Sequence, residues 1–318
     1  MRAASWQEFG AGIITEAPPA PRPASTHSNS PFAPDSRTNA APDRLECGVF
    51  PFSGTVIKPL SDRLATLLAI AALLAAMLAF ALQVVYQDAN RAAFITFNAF
   101  LQGLPAGLWA SVSVLGSSLG ALALFAPTLR VRPRWAAAML LSMPFVWLYS
   151  QGFKWMMDAP RPPQVLDQSV FHFTGTLPSD PAFPSGHATT AFCLAAVVTL
   201  LPSRNYRALF APVALALAVA VALSRIALGV HWPLDVAAGA AGGWICGMLG
   251  VAASGHWRFW EGRQGIRLMA ATLGALSLLL ALQNPGHPSA RLFQWLLALW
   301  GITGAAMAWP ACRAGHHA

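Results

Sequence analysis

The sequence predicts an all-α, polytopic membrane helix bundle: a six-helix core followed by two C-terminal transmembrane helices. Three observations carry that prediction. Hydrophobic residues make up 56% of the 318 residues and charged residues only 10%, where a soluble domain devotes roughly a quarter to charge. The apolar letters are gathered into blocks long enough to cross a bilayer. Basic residues collect in alternate connections between those blocks.

From residue 64 onward the apolar blocks fall at about 64–86, 106–126, 135–153, 185–201, 208–228, 233–253, 266–282 and 292–309. At ~1.5 Å per residue, about 20 residues span the ~30 Å of hydrocarbon. Within lipid every backbone polar group must find its partner inside the segment, so each block is expected to be helical. The fourth is short for a span.

Basic residues give the expected orientation. Lys58 and Arg63 precede the first block; Arg130, Arg132 and Arg134 lie between the second and third. Arg204 and Arg207 separate the fourth from the fifth, Arg258, Arg263 and Arg267 stand around the sixth-to-seventh connection, and Arg313 follows the eighth. If eight helices alternate, all of these share one side. Because cytoplasmic loops retain Lys and Arg, both termini are expected in the cytoplasm, with connections 86–106, 153–185, 228–233 and 282–292 on the outer face of the inner membrane.

Residues 1–59 differ from the rest. Rich in Pro, Ser, Ala and Asn, with Pro18, Pro19, Pro21 and Pro23 breaking any helical pattern, they read as a disordered cytoplasmic tail. The core then covers 60–255, and 256–318 adds the last two helices and a short C-terminus. The net charge of +8 does not signal nucleic acid, because the cations are scattered between apolar blocks. Cys47, Cys193, Cys246 and Cys312 show no metal-ligand spacing, so neither a zinc site nor a disulfide scaffold is expected.

Three polar clusters interrupt the apolar chain, all on the expected outer side. Lys154 to Arg161 and Pro162 close the third block; Pro184-Ser185-Gly186-His187 opens the fourth; Ser224-Arg225 through His231 to Asp235 joins the fifth to the sixth. Lys154, Arg161 and Arg225 in one membrane mouth need an anion, and phosphate suits both the planar Arg fork and the compact Lys charge. Lys154 and Arg161 would align on an unbroken helix, but Pro160 and Pro162 make the Arg161 end extended. Ser185 and Gly186 stand at a helix start, where free N–H groups favour an anion; Ser185 reads both as an N-cap and as a donor. The His231–Asp235 spacing lets a carboxylate fix the imidazole tautomer, leaving the other nitrogen free to attack. His187, with no such carboxylate at helical spacing, can protonate a leaving oxygen. In the outer segment 163–183, Asp167, His172 and Asp180 stand where they can shape a substrate entrance, and His172 reads as a surface residue.

The three clusters resemble the signature of the type 2 phosphatidic acid phosphatase family, itself similar to class A acid phosphatases and vanadium haloperoxidases: K-x6-RP, PSGH and SR-x5-H-x3-D. Every signature letter is present. The resemblance covers about 64–253 and implies a metal-independent membrane hydrolase with no cofactor. Lys154, Arg161, Arg225, Ser185 and Gly186 would bind phosphate, His187 would be the general acid, His231 would carry a phosphohistidine and Asp235 would orient it. The implied partner is a lipid phosphate monoester or diphosphate in the bilayer, such as undecaprenyl diphosphate, phosphatidic acid, phosphatidylglycerophosphate or a lipid A phosphate. A phosphotransferase using the same site, and a lipid or anion transporter, are the competing readings. The last two helices and the oligomeric state are left unassigned.

Overall fold

The computed structural model describes residues 62–202 and 204–309. The expected 1–59 tail, Cys47 and Cys312 lie outside the described residues. Among those residues the chain is helical, without strands: α1 Asp62–Val85, α2 Gln87–Leu101, α3 Ala106–Val114, α4 Ser118–Phe125, α5 Thr128–Val131, α6 Pro133–Met157, α7 Pro162–Val165, α8 Gly186–Leu200, α9 Arg204–Ala227, α10 Pro233–His256, α11 Arg263–Leu282 and α12 Arg291–Ala308.

All eight expected apolar blocks are helical, with three differences. The 86–106 connection is largely a helix, α2. The second block breaks into α3 and α4 with a bend of 67°, where the Ser117 hydroxyl accepts from Gly120 N at 3.0 Å and caps the new helix. Gly116, at the bend, lies so close to His187 and Val221 that a side chain would meet both. The third difference is α8, whose 15 residues extend only about 22 Å.

Among the described residues, four helices are long and apolar enough to cross a membrane: Thr66–Val85, Tyr206–Ala227, Pro233–His256 and Arg263–Leu282, with α3 plus α4 a fifth if the bent pair is one span. Large apolar side chains point outward along them. On α1, Leu73, Leu74, Met77 and Leu78 are 53–60% exposed, and Leu292, Trp295, Leu296, Leu299 and Trp300 make a similar face on α12. Water would penalise such surfaces; lipid does not. The protein is a multi-pass membrane helix bundle.

The seam that positions the polar clusters is made of glycine. Gly239, Gly243 and Gly247 recur every four residues on α10 and face α8. A Cβ at Gly239 would stand 2.5 Å from Ser185 O, one at Gly247 2.7 Å from Cys193 O, and one at Gly243 would overlap Thr189 O. Small residues at this spacing let two helix backbones approach closely, which is how helices gain packing energy where lipid already satisfies apolar groups. Gly242 and Gly250 make the same allowance toward Tyr149 and Ser142 of α6. With α1, which also packs on it, α8 and α6 converge on α10.

α2 acts as a polar staple. Buried Asn98 donates through Nδ2 to His172 O at 3.0 Å and Ile226 O at 2.9 Å, and its Oδ1 accepts from His172 N at 2.8 Å. The outer segment is thereby tied to the end of α9. Gln102 adds a bond from Nε2 to Ala227 O at 3.0 Å.

Gly243→Val is expected to cost about 1–3 kcal/mol or more by overpacking, read as a lowered Tm of the detergent-solubilised protein. An unchanged Tm would mean that the α8–α10 seam has slack.

Candidate active site

The first cluster forms where α6 stops. Asp158 takes a left-handed conformation, φ 40°, and its N–H donates to Lys154 O at 3.1 Å, ending the helix. The chain then runs extended, and Pro160 O accepts from Trp232 Nε1 at 2.8 Å. Arg161 opens α7, with its N–H donating to Gln164 Oε1 at 2.6 Å. Its side chain can therefore cross the mouth instead of following α6. The guanidinium is almost wholly buried, donating from Nε to Asp180 O at 2.8 Å, from Nη1 to Val230 O at 2.8 Å and from Nη2 to Asp180 Oδ1 at 3.0 Å.

Lys154 is buried as well, and its ammonium pairs with Asp180 Oδ2. One carboxylate thus bridges both cations. Burial pushes the Asp180 carboxyl upward, but the hydrogen bond and charge of Lys154 and the charge of Arg161 prevail and hold it below the usual range.

At the second cluster, Ser185 is fully buried and its hydroxyl accepts from Ala188 N at 3.5 Å, while its own N–H donates to Asp235 O at 2.9 Å. The geometry is that of an N-cap. Gly186 and His187 line the cavity beside it, and Ser185 does not. The His187 ring makes no hydrogen bond among the described residues.

The third cluster fixes a tautomer. Arg161 Nη1 lies 3.1 Å from His231 Nε2, and a guanidinium can only donate. Nε2 must therefore accept, so the ring proton sits on Nδ1, 3.2 Å from Asp235 Oδ2. That carboxylate is in turn held by Trp232 N at 2.9 Å and is fully buried. Burial, then the charges of Arg161, Arg225 and Lys154, press the His231 pKa well below its usual value. The imidazole is neutral, with one lone pair facing the cations.

Arg225 comes from the last turn of α9, donates from Nη1 to Ser113 Oγ, and has no carboxylate partner among the described residues. Lys154, Arg161, His187, Arg225 and His231 all line one cavity of about 320 Å³. Asp235 stands behind His231, outside it. Sequence reasoning missed two contributors. Ser113 sits just before the α3–α4 break, which the Gly116-Ser117-Ser118 run signals inside an apolar block. Asp180 had been placed at the entrance, but no local spacing links it to Lys154. His172 is exposed, as expected, and engaged through its backbone.

The PAP2 superfamily model matches residues 135–259, which contain every residue of the three clusters. This segment is similar to the PAP2 superfamily. The chain is also similar to a lipid A 1-phosphatase from Rhizobium etli, 33% identical over 137 residues, covering 39% of this chain and 57% of that protein. An undecaprenyl-diphosphatase from Sulfolobus acidocaldarius is 44% identical over 69 residues, 21% of this chain and 32% of that protein. The chain thus spans little more than half of one of these relatives and about a third of the other. Among solved structures, a transmembrane PAP2 type phosphatidylglycerolphosphate phosphatase from Bacillus subtilis superposes with a TM-score of 0.44 at 22% identity, covering 61% of this chain and 96% of that one. In this chain α1–α5 precede the PAP2 match, and α11 and α12 follow it.

An oxyanion entering this site meets Lys154 and Arg161 already occupied. Asp180→Asn removes the competing charge and is expected to tighten binding of inorganic phosphate or vanadate by roughly tenfold, the scale of one partly exposed charged hydrogen bond. Equilibrium titration of the purified protein measures it. Unchanged or weaker binding would mean that Asp180 does not hold the anion's place.

Proposed function

We propose that the protein is an integral-membrane phosphatase that hydrolyses a lipid phosphate monoester or diphosphate through a phosphohistidine on His231. The observation that carries this reading is the orientation of His231. Its Nδ1 proton is directed to Asp235, and its Nε2, which accepts from Arg161 Nη1, borders a cavity lined by three cations; once that guanidinium turns to the phosphate the lone pair is free to attack. An imidazole in that state is a nucleophile, and a carboxylate on the far nitrogen stabilises the cation that attack creates.

Substrate phosphate displaces Asp180 from Lys154 and Arg161 and gains Arg225, whose charge is not yet neutralised. The phosphoryl oxygens take the place of the carboxylate, and the dehydrated surroundings strengthen each bond as charge develops. His231 Nε2 forms the N–P bond while the P–O bond to the lipid breaks. His187, half-buried beside the three cations, takes up a proton only when the bound dianion offsets their charge, and gives it to the departing oxygen. Water, giving its proton to the now neutral His187, attacks the phosphohistidine. Inorganic phosphate leaves, and His231 regains its lone pair. Gly186, at the positive end of α8, supplies backbone N–H character beside the phosphate, and Ser185 supports it by capping that helix.

The lipid tail stays in the bilayer, consistent with the apolar outer faces of the helices. The loop charges support cytoplasmic termini and a site on the outer face of the inner membrane. The relatives' names, lipid A 1-phosphatase and undecaprenyl-diphosphatase, favour lipid-borne phosphate over soluble esters as substrate.

His231→Ala in lipid nanodiscs should lose at least about 10³-fold in phosphate release, the scale seen when a covalent nucleophile is removed, while remaining folded and inserted. Turnover near the parent rate would remove the nucleophile from the scheme. The acid limb of kcat/KM reports protonation of the free enzyme. Because the His231 pKa is depressed, protonation and loss of attack occur only as pH falls below its ordinary 6.5. A limb centred at or above that value would contradict a buried, neutral His231.

A further inference from the structure

A second cavity, of about 340 Å³, adjoins the first and shares Ser117, Pro178, His187, Arg225 and Gln283 with it. His187 and Arg225 form the partition. The far wall comes from the α11–α12 hairpin, which lies beyond the PAP2 match. Thr174, Thr176, Gln283, Asn284, His287 and Gln294 supply its polar lining.

The wall is fastened to the outer segment of the core. Thr176 N donates to Gly286 O at 3.0 Å, and the same outer segment is tied to the end of α9 by Thr174 N donating to Leu228 O at 3.2 Å. Gly175 and Gly286 both have positive φ, 98° and 75°, and a Cβ on Gly175 would stand 2.8 Å from Gly286 O. Gly175 meets both demands, a left-handed φ and a close backbone approach, which a side chain would defeat.

Two buried polar atoms of residues lining the chamber have no hydrogen-bond partner among the described residues. Gln294, 1% exposed, donates from Nε2 to Gln283 O at 2.7 Å and to Leu280 O, but its Oε1 is buried without a hydrogen bond. Arg225 Nε is likewise unpartnered. A buried polar atom left unpaired is costly, and a ligand can relieve that cost.

We infer that this second chamber is a leaving-group subsite, built by the α11–α12 hairpin, that takes a hydroxyl-rich group, a sugar or polyol, carrying the scissile phosphate. The inference rests on the phosphatase reading, because in-line attack by His231 sends the departing oxygen toward His187, and beyond His187 lies this chamber. The chemistry of the lining selects the ligand. Amides and hydroxyls both donate and accept, matching sugar hydroxyls, which do the same. Among the described residues, Arg225 is the only Lys or Arg that lines the chamber and no Asp or Glu does, so a second phosphate would find one cation where the first finds three. A bare alkyl chain would strand the amides.

Phosphonates resist hydrolysis and allow binding to be measured on the full chain in nanodiscs. The probes are hexadecylphosphonate and a hexadecyl glycolipid bearing its phosphonate on the sugar. Calorimetric titration is expected to give about tenfold tighter binding for the sugar-borne probe, the worth of two or three neutral hydrogen bonds. Gln294→Leu, and independently the near-isosteric Thr176→Val, should shrink that preference. Equal affinities in the parent, or a preference intact in both folded variants, overturn the subsite. Phosphate release from the corresponding phosphates is followed in parallel. A binding preference without release from either overturns the phosphatase reading and leaves the subsite standing, whereas no binding of either probe overturns both.

Discussion

The buried cations impose the constraint on which the rest of the site depends. Lys154, Arg161 and Arg225 are each less than a tenth exposed, and charge taken out of water must be paired or strongly hydrogen-bonded. Arg161 meets this demand with carbonyls from two segments and the Asp180 carboxylate; Lys154 meets it with Asp180 alone among the described side chains. Arg225 has a hydroxyl in place of a carboxylate. The ligand-free protein is therefore balanced around one movable anion, and the site has the charge to accept another. Asp180 lies on the 166–185 loop and is partly exposed, so it can move; the cations are fixed by helix ends.

The same cations determine what His231 can be. An imidazolium beside Arg161 would face a second positive charge at hydrogen-bond distance, so the neutral ring is favoured and its proton is driven to the Asp235 side. The nitrogen proposed as nucleophile is thus selected by a repulsion on one side and an attraction on the other. This requires the α9–α10 connection to lie against α7 and the start of α8, and the glycine seam on α10 makes that possible. Ser185 N donating to Asp235 O ties the two helix starts within that seam.

Much of this arrangement was legible in the sequence, because polar letters stand out against an apolar background and their spacings are local. The Lys154–Arg161, Ser185–His187 and Arg225–Asp235 clusters each describe one helix end, and all converge in the structure. Ser185 reads as cap and donor, yet its hydroxyl is spent on Ala188. The α2 helix was hidden because Asn90, Asn98 and Gln102 dilute its apolar pattern. Those residues bind backbone carbonyls and side chains of other elements, a tertiary use that no periodicity reveals. The break at Gly116 was masked by equally apolar flanks. Asp180, 26 residues from Lys154, belongs to the site only through the fold of the loop.

The α11–α12 hairpin extends this logic from chemistry to selectivity. The groups proposed to react all lie within residues 135–259, so additions outside that segment could alter what is held next to the phosphate without touching the proposed nucleophile or its carboxylate. The hairpin meets the outer segment at Gly286, against Gly175 and Thr176, and its Gln294 lines the same chamber as Arg225. The residue proposed to bind the phosphate thus also lines the chamber. A group held there would be coupled to the phosphate through one guanidinium, so that recognition of the leaving group and stabilisation of the charge it leaves behind would draw on the same buried cation.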